Sequence, residues 1–283
     1  MEIKHKQTGE VLRKITGESL AGVDLQEALL RYADLRGADL TGARLRMVDL
    51  CSADLSGALL CGADLRAANL NGADLSGADL REAIIGSEHS LEAATLAGCD
   101  LSGANLEHAD LRKVDLNESN LENANLKGAD LSSAHLHAAH FIHANLRNAV
   151  LIAAYLREAD LSYCDLSGAH MNDANMIRAR LDHVEAAGDD EVGPAIFVRA
   201  DMRDASLQGA RLAGCPVRLV DMRNADLSDA DFSHCIMGGS ILRNANVKGA
   251  NFNQVKLTTV TVTHANFSEA LNVDMPSFKK GWR

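Results

Sequence analysis

The sequence predicts an all-β chain wound as a parallel β-solenoid, and three observations carry that prediction. A small–acidic–Leu triplet returns every five residues, as in "NGADLSGADLREA" at 71–83, and does so for most of the 283 residues. Glycines recur at intervals of twenty, with Gly37, Gly57 and Gly77 in one series and Gly42 and Gly62 in another. Aromatic residues make up only 4% of the chain, so the interior is narrow and built from Leu and Ala. A period of five fits neither regular structure. On a helix, five steps rotate the leucines about 140° beyond a full turn and smear them around every face. In a straight strand, an odd spacing sends Leu75 inward and Leu80 outward.

One geometry keeps every leucine on one side: the chain turns a corner once per repeat. With Leu75 as the centre, Ala73 shares its parity and points inward, and Asp74 between them points out. Ser76 and Gly77 form the corner. So short an extended stretch cannot satisfy its own N–H and C=O groups. It must pair with the coils above and below, at about 4.8 Å. The twenty-residue glycine spacing gives four such stretches per coil and a square section.

Residues 1–19 read as strand–turn–strand around Thr8 and Gly9, a capping hairpin over an otherwise open edge. The repeats occupy 20–270. Their register runs from Leu20 to Ile85, slips by one residue in a bulge near 86–90, and resumes at Leu91 and Leu96. It continues to Leu181, breaks again, and resumes from Phe197 to Phe267. Small residues precede the centres by two almost throughout, with Val48, Val114, Val220 and Ser119 as mild departures. About twelve coils follow, a rod of roughly 55–60 Å at the sheet spacing. In the second break, "DHVEAAGDDEVGPAI" at 182–196, Val184 and Ala186 form a degenerate repeat. "GDDEVGP" follows as an extruded loop near 182–195 carrying Asp189, Asp190 and Glu191, a candidate partner-binding loop. Residues 271–283 form a C-terminal cap or a dimerisation tail around Met275, Phe278 and Trp282, with Pro276 stopping further strand pairing.

These repeats resemble the pentapeptide-repeat family, with its A-(D/N)-L-x-x motif, over about residues 20 to 270. The resemblance implies a right-handed quadrilateral β-helix. The family includes many proteins of unknown role and others that protect DNA gyrase. Projecting loops matter in those relatives, and many of them pair end to end through their C-termini, which points to a homodimer. The 189–191 loop matches no loop motif of theirs.

The net charge is −11. Each end carries about +1, leaving about −13 on the repeats, a surface that repels nucleic acid and attracts proteins with basic grooves. The candidate acidic face is Asp54, Asp64, Asp74 and Asp79. Against it stand Arg36, Arg46, Arg66, Lys127, Arg147 and Arg157. Arg46 and Arg66 fall on one face, and Lys127 and Arg147 are expected on the same one. About one net charge per 4.4 Å compares with one per 1.7 Å in duplex DNA. Leucine rather than phenylalanine at the centres further separates the chain from many resistance relatives.

The chain has no apolar run long enough for a membrane span and no secretory leader at "MEIKHKQTGEVLRK". Its six cysteines form no C-x-x-C pair, which favours a reduced, cytoplasmic chain. Cys99, Cys164, Cys215 and Cys235 occupy inward positions as larger alanines. Cys51 and Cys61 follow their leucines and are exposed, without a partner for a catalytic thiol. His135, His137, His140 and His143, with Asp115 and Asp160 at matching positions in adjacent coils, diverge on neighbouring faces, so no metal and no cofactor is expected. A convex rod offers no water-excluding pocket, and no P-loop, dinucleotide or nucleophile-elbow motif is present. The sequence therefore reads as a non-enzymatic repeat scaffold acting through protein–protein binding, with no direct nucleic acid or membrane contact. The alternative is a DNA mimic that binds a type II topoisomerase, DNA gyrase, and protects or inhibits it. A purely structural spacer has no positive evidence.

Overall fold

The computed structural model describes residues 1–276, in two compact units, Met1–Ala144 and Asn145–Arg283. Each unit repeats one five-residue device. Around Leu75, Ala73 and Leu75 are buried and Asp74 faces out. The chain then turns, and the Ala78 N–H donates to the Leu75 carbonyl at 3.0 Å. The second corner residue lies in the left-handed region; at Gly77, φ is +63°. Many corners hold this conformation without glycine, as at Glu82, His108 and Asn123. An L-residue there costs about 1–2 kcal/mol, so the bonds around it must over-determine the turn.

Those bonds run between coils. The Leu75 N–H donates to the Asp100 carbonyl at 2.7 Å, and the Asp74 N–H to the Ala53 carbonyl at 3.0 Å. Bridges join Asp24 to Arg44, Leu29 to Asp49, Asp34 to Asp54 and Asp39 to Leu59, all parallel and all twenty residues apart. Four pentapeptides thus make one coil. In the first unit, β1 (Glu2–His5) and β2 (Val11–Lys14) form an antiparallel hairpin. β1 also pairs antiparallel with β3 (Ala33–Asp34), which lays the hairpin along the first coil and buries Ile3. Toward the C-terminal part of the second unit, Phe232 stacks on Phe252 at 5.6 Å, and Phe252 meets Phe267 at 5.1 Å.

The first break differs from its reading as a one-residue bulge at 86–90. Ladder partners across it are 26 apart, Asn69 with Thr95 and Asp74 with Asp100. A coil is twenty, so the break is an extruded loop with six extra residues. Leu91 is not a repeat centre. It is 94% exposed, on a 3-10 turn, Ser90–Glu92. The loop closes where the Ala94 N–H donates to the Ile85 carbonyl at 2.9 Å. Gly86 is required at its root, because a Cβ there would lie 2.2 Å from the Arg112 backbone nitrogen. The second unit repeats the construction. Val184 and Ala186 are buried in register, the Ala195 N–H donates to the Ala186 carbonyl at 2.8 Å, and His170 pairs with Ile196, again 26 apart.

Two predictions follow from this packing. Ala129 is fully buried and Ala21 exposed. Ala129→Phe should lower stability by about 1–3 kcal/mol or more by overpacking, and Ala21→Phe should be nearly silent. Equal losses in chemical denaturation would overturn the inward register. For the glycines, Gly77→Ala meets no neighbour within 4 Å and should cost only the backbone strain, about 1–2 kcal/mol. Gly86→Ala must move the Arg112 backbone and should cost more; the order of the two thermal midpoints checks this.

Candidate partner-binding faces

The outward aspartates work first for their own corners. Asp74 Oδ1 accepts the Ser76 N–H at 2.9 Å and the Ser76 hydroxyl at 2.6 Å; Asp54 does the same with Ser56 at 3.1 and 2.7 Å. A short acceptor two residues before a free N–H is the Asx turn. This explains why Asp or Asn precedes the centre so often. Asparagines in that position add rungs between coils, as where Asn69 donates to Asp49 at 3.1 Å.

Asp54, Asp64, Asp74 and Asp79 do not form one acidic face. A face returns every four pentapeptides, so only Asp54 and Asp74, twenty apart and bridged, share one. Asp64 belongs to the ladder of Arg44 and Ile84, and Asp79 to that of Leu59 and Asn105. Both are also neutralised within their own repeat. Arg66 forks onto Asp64 at 2.8 and 2.6 Å, and Arg81 onto Asp79 at the same distances. The same D-x-R fork joins Asp34 to Arg36, Asp110 to Arg112, Asp201 to Arg203 and Asp221 to Arg223. The triplets are plain in the sequence, and the sequence reading passed over them. The hydrogen bond from Arg66 holds the Asp64 carboxyl below its ordinary range, against an upward push from burial.

The acidic stack that does exist in the first unit is Asp34, Asp54, Asp74 and Asp100, consecutive rungs of one ladder. Asp34 is taken by Arg36, which also lies 3.7 Å from Asp54. Asp74 and Asp100 have only neutral hydrogen-bond partners, including Ser76, Ser102 and Asn120. Arg46 and Arg66 share a corner, since Met47 and Arg66 are bonded across it. Lys127 does not join them. It lies 3.6 Å from Glu107 on the corner that also holds Arg81.

In the second unit, Asp189 is committed to building its loop. Its Oδ1 accepts the N–H groups of Glu191 and Val192 at 3.0 and 2.9 Å, and its Oδ2 lies 2.9 Å from Arg147, which also reaches Asp165 at 3.3 Å. The N–H of Val192 and then those of Glu191 and Arg147 hold its pKa below the usual range. Asp190 and Glu191 are left exposed. Met275 is buried within the unit; Phe278 and Trp282 lie outside the described residues, and so does the dimer expectation built on them.

His135 stacks over Asp115 in the ladder, while His140 belongs to the next face, with Asn120. Among the described residues no three His, Cys, Asp or Glu side chains are grouped to hold a metal. Cys99, Cys215 and Cys235 are buried at inward positions and donate to the carbonyls of Leu70, Ala186 and Leu212. Burial pushes the thiols of Cys99 and Cys235 up to about 12. A further feature had no sequence reading. In the second unit a groove of about 860 Å³ is lined by Val198, Leu219, Ile236, Met237, Arg218 and Lys256 among others.

The fold defines a β-solenoid of five-residue repeats. The sequence matches the model for pentapeptide repeats, described in eight copies, over 19–85, 90–185 and 195–271, and the chain belongs to that family, whose members form a right-handed β-helix. Among solved structures it is similar to HetL, a pentapeptide-repeat protein involved in heterocyst differentiation regulation from the cyanobacterium Nostoc sp. strain PCC 7120. The two are 35% identical over 73% of this chain and 88% of HetL, with a TM-score of 0.62. QnrB1, a plasmid-mediated fluoroquinolone resistance protein, is 14% identical over 82% of this chain and 91% of its own, with a TM-score of 0.33. No curated protein matches the sequence.

A prediction on acid stability follows from the Asp64–Arg66 fork. The folded pKa of Asp64 is depressed, so its stabilisation is complete above the ordinary value of 3.8 and is lost as pH falls through the folded value. Asp64→Asn keeps the turn acceptor and removes the charge. It should cost under about 1 kcal/mol at neutral pH, because the pair is partly exposed. The gap between wild type and variant should close below about pH 4. A gap that stays constant from pH 6 down to acid unfolding would refute the assignment.

Proposed function

We propose that this chain is a non-catalytic scaffold that binds protein partners through separate faces of its repeats. One observation carries the reading: inward positions are nearly uniform, while outward columns differ from face to face. In the first unit one column stacks Asp54, Asp74 and Asp100 beside Ser-Gly corners. In the second unit another column runs Val150, His170, Ile196, then Pro216 and Ile236. Surfaces this different on one repeat are suited to different partners. The likeness to HetL, a protein involved in regulation, supports a binding role over catalysis. Six cysteines with no disulfide support a reducing, cytoplasmic setting.

A second reading, DNA mimicry toward gyrase, draws support from the Asp54–Asp74–Asp100 stack. Rungs about 4.8 Å apart give a thinner line of charge than a duplex, with one phosphate per about 1.7 Å. The Arg forks thin it further on the other faces.

The test is binary binding. A partner recovered from the source organism and then purified should bind directly at micromolar affinity or tighter. Its binding should fall when one column is altered, for instance by Asp54→Asn, Asp74→Asn and Asp100→Asn together, with the melt unchanged. Absence of any direct partner would sink the scaffold reading. Inhibition of gyrase supercoiling, or protection from a quinolone, by the wild type but not the triple variant would replace it with the mimic.

A further inference from the structure

We propose that the groove at Ile236 in the second unit docks an extended, acidic peptide segment of a partner protein; this deepens the scaffold reading and rests on it. Three independent features converge there.

The first is composition. The position before the centre is usually Asp or Asn, but here the rungs are Ile196, Pro216, Ile236 and Lys256. The corner adds Val198 and Leu219. Ile236 is 45% and Leu219 59% exposed. The aspartate that caps other corners is absent, and among the described residues no side chain accepts the N–H of Val198, Arg218 or Gly238.

The second is an opened ladder. Ile196 and Pro216 form no bridge, and proline has no N–H to give. Ile236 and Lys256 form none either, although the neighbouring face of the same coils is paired at Ile241–Thr261. The N–H groups of Met237 and Lys256 have no partner among the described residues. The groove of about 860 Å³ lies between segments 234–238 and 254–259, which are joined at one end where the Gly239 N–H donates to the Thr259 hydroxyl at 3.3 Å. Unpaired strand groups beside apolar walls suit an added strand, whose main chain fills the ladder while alternate side chains enter the groove.

The third is charge. The chain is acidic, and most of its cations are paired. In the second unit the described lysines and arginines without an ion-pair partner are Arg218, Arg243 and Lys256. Arg218 and Lys256 both line the groove, and no carboxylate does. The complement is a segment that brings its own acid. The chain's residues 277–283 have the wrong sign, with Lys279, Lys280 and Arg283 and no acid.

The test is a phage-displayed library of random peptides selected on the full-length protein. Selected sequences should alternate apolar residues with Asp or Glu. The best of them, made with a fluorophore, should weaken by about tenfold or more on Arg218→Glu with Lys256→Glu. Ile236→Asp and Leu219→Asp, both at exposed sites, should weaken it separately while the thermal midpoint stays near wild type. Peptides without acid, or equal affinity for wild type and variants, would overturn the proposal. So would tighter peptide binding after truncation at Pro276, which would assign the groove to the chain's own tail. A dimer that Ile236→Asp dissolves would assign it to a second copy. A natural partner that still binds all these variants, with no selected peptide, would remove the groove and leave the scaffold reading standing.

Discussion

Pairing between segments twenty residues apart is the constraint on which the rest of each unit depends. Most centres donate their N–H to a carbonyl nineteen residues on, as Leu25 does to Arg44 and Leu30 to Asp49, and where a loop intervenes the step is twenty-five, as from Leu75 to Asp100. Strand spacing in a ladder is fixed by hydrogen-bond length, so neither the rise nor the register of a coil can adapt to a larger side chain. The interior then admits a narrow range of sizes at each inward place, small two before the centre and mostly larger at the centre. The position two before the centre takes Ala, or at most Cys99, Val114 or Ser119, all buried. Ser119 keeps its hydroxyl satisfied by donating to the Leu116 carbonyl at 2.7 Å. The centres are mostly Leu, Met or Phe, which fill the middle of the coil, with smaller Ile85, Ala186, Val217, Val247 and Val262 among them.

The same constraint decides where the chain can lengthen. Extra residues inside an extended stretch would shift its partners and turn buried side chains outward. They are accepted only at a corner and only if the loop closes on itself, which both loops do by one bond between their ends. This is also where the sequence was hardest to read. Leu91 precedes Leu96 by five and looks like a centre by spacing alone. The contrary signal was His89, two before Leu91, in a place that within the repeats holds small residues or at most Val, as at Val48 and Val114. Weighed by volume rather than by period, His89 excludes the repeat and exposes the loop. At the second break no leucine sits in the loop to mislead; Val184 and Ala186 fall where spacing puts them, and Phe197 restarts the register after six extra residues.

The acidic residues show how far legibility extended outward. Inward or outward direction follows from parity, so Asp54, Asp64, Asp74 and Asp79 were correctly read as facing out. Their grouping was not legible from direction alone, because face membership depends on twenty and on the six residues of each insertion. Asp100 joins Asp74 only when the first loop is counted at its true length. Net charge misleads in the same way. It counts an aspartate as available even where Arg66, Arg81 or Arg112 sits two residues on and forks onto it. The groove was illegible for a further reason. It arises from bonds that fail to form at Pro216 and Lys256, and only the first of these is written in a residue type.

Outward positions are not energetically free, however, and this gives the apolar column its meaning. An aspartate before the centre accepts a corner N–H, a bond worth about 0.5–1.5 kcal/mol net. Ile196, Pro216 and Ile236 forgo that bond at successive coils, and Pro216 removes a ladder donor as well. Aliphatic groups half in water recover little of this by burial within the unit, since Leu219 and Ile236 remain largely exposed. Elsewhere the repeat tolerates single substitutions of the acid, as at Leu59 or Ile84, with ordinary rungs on either side. A run of them at one edge, coinciding with an opened ladder and two unpaired cations, is a local loss of stability with no return inside the unit. Such a loss is recovered only when something else completes the surface.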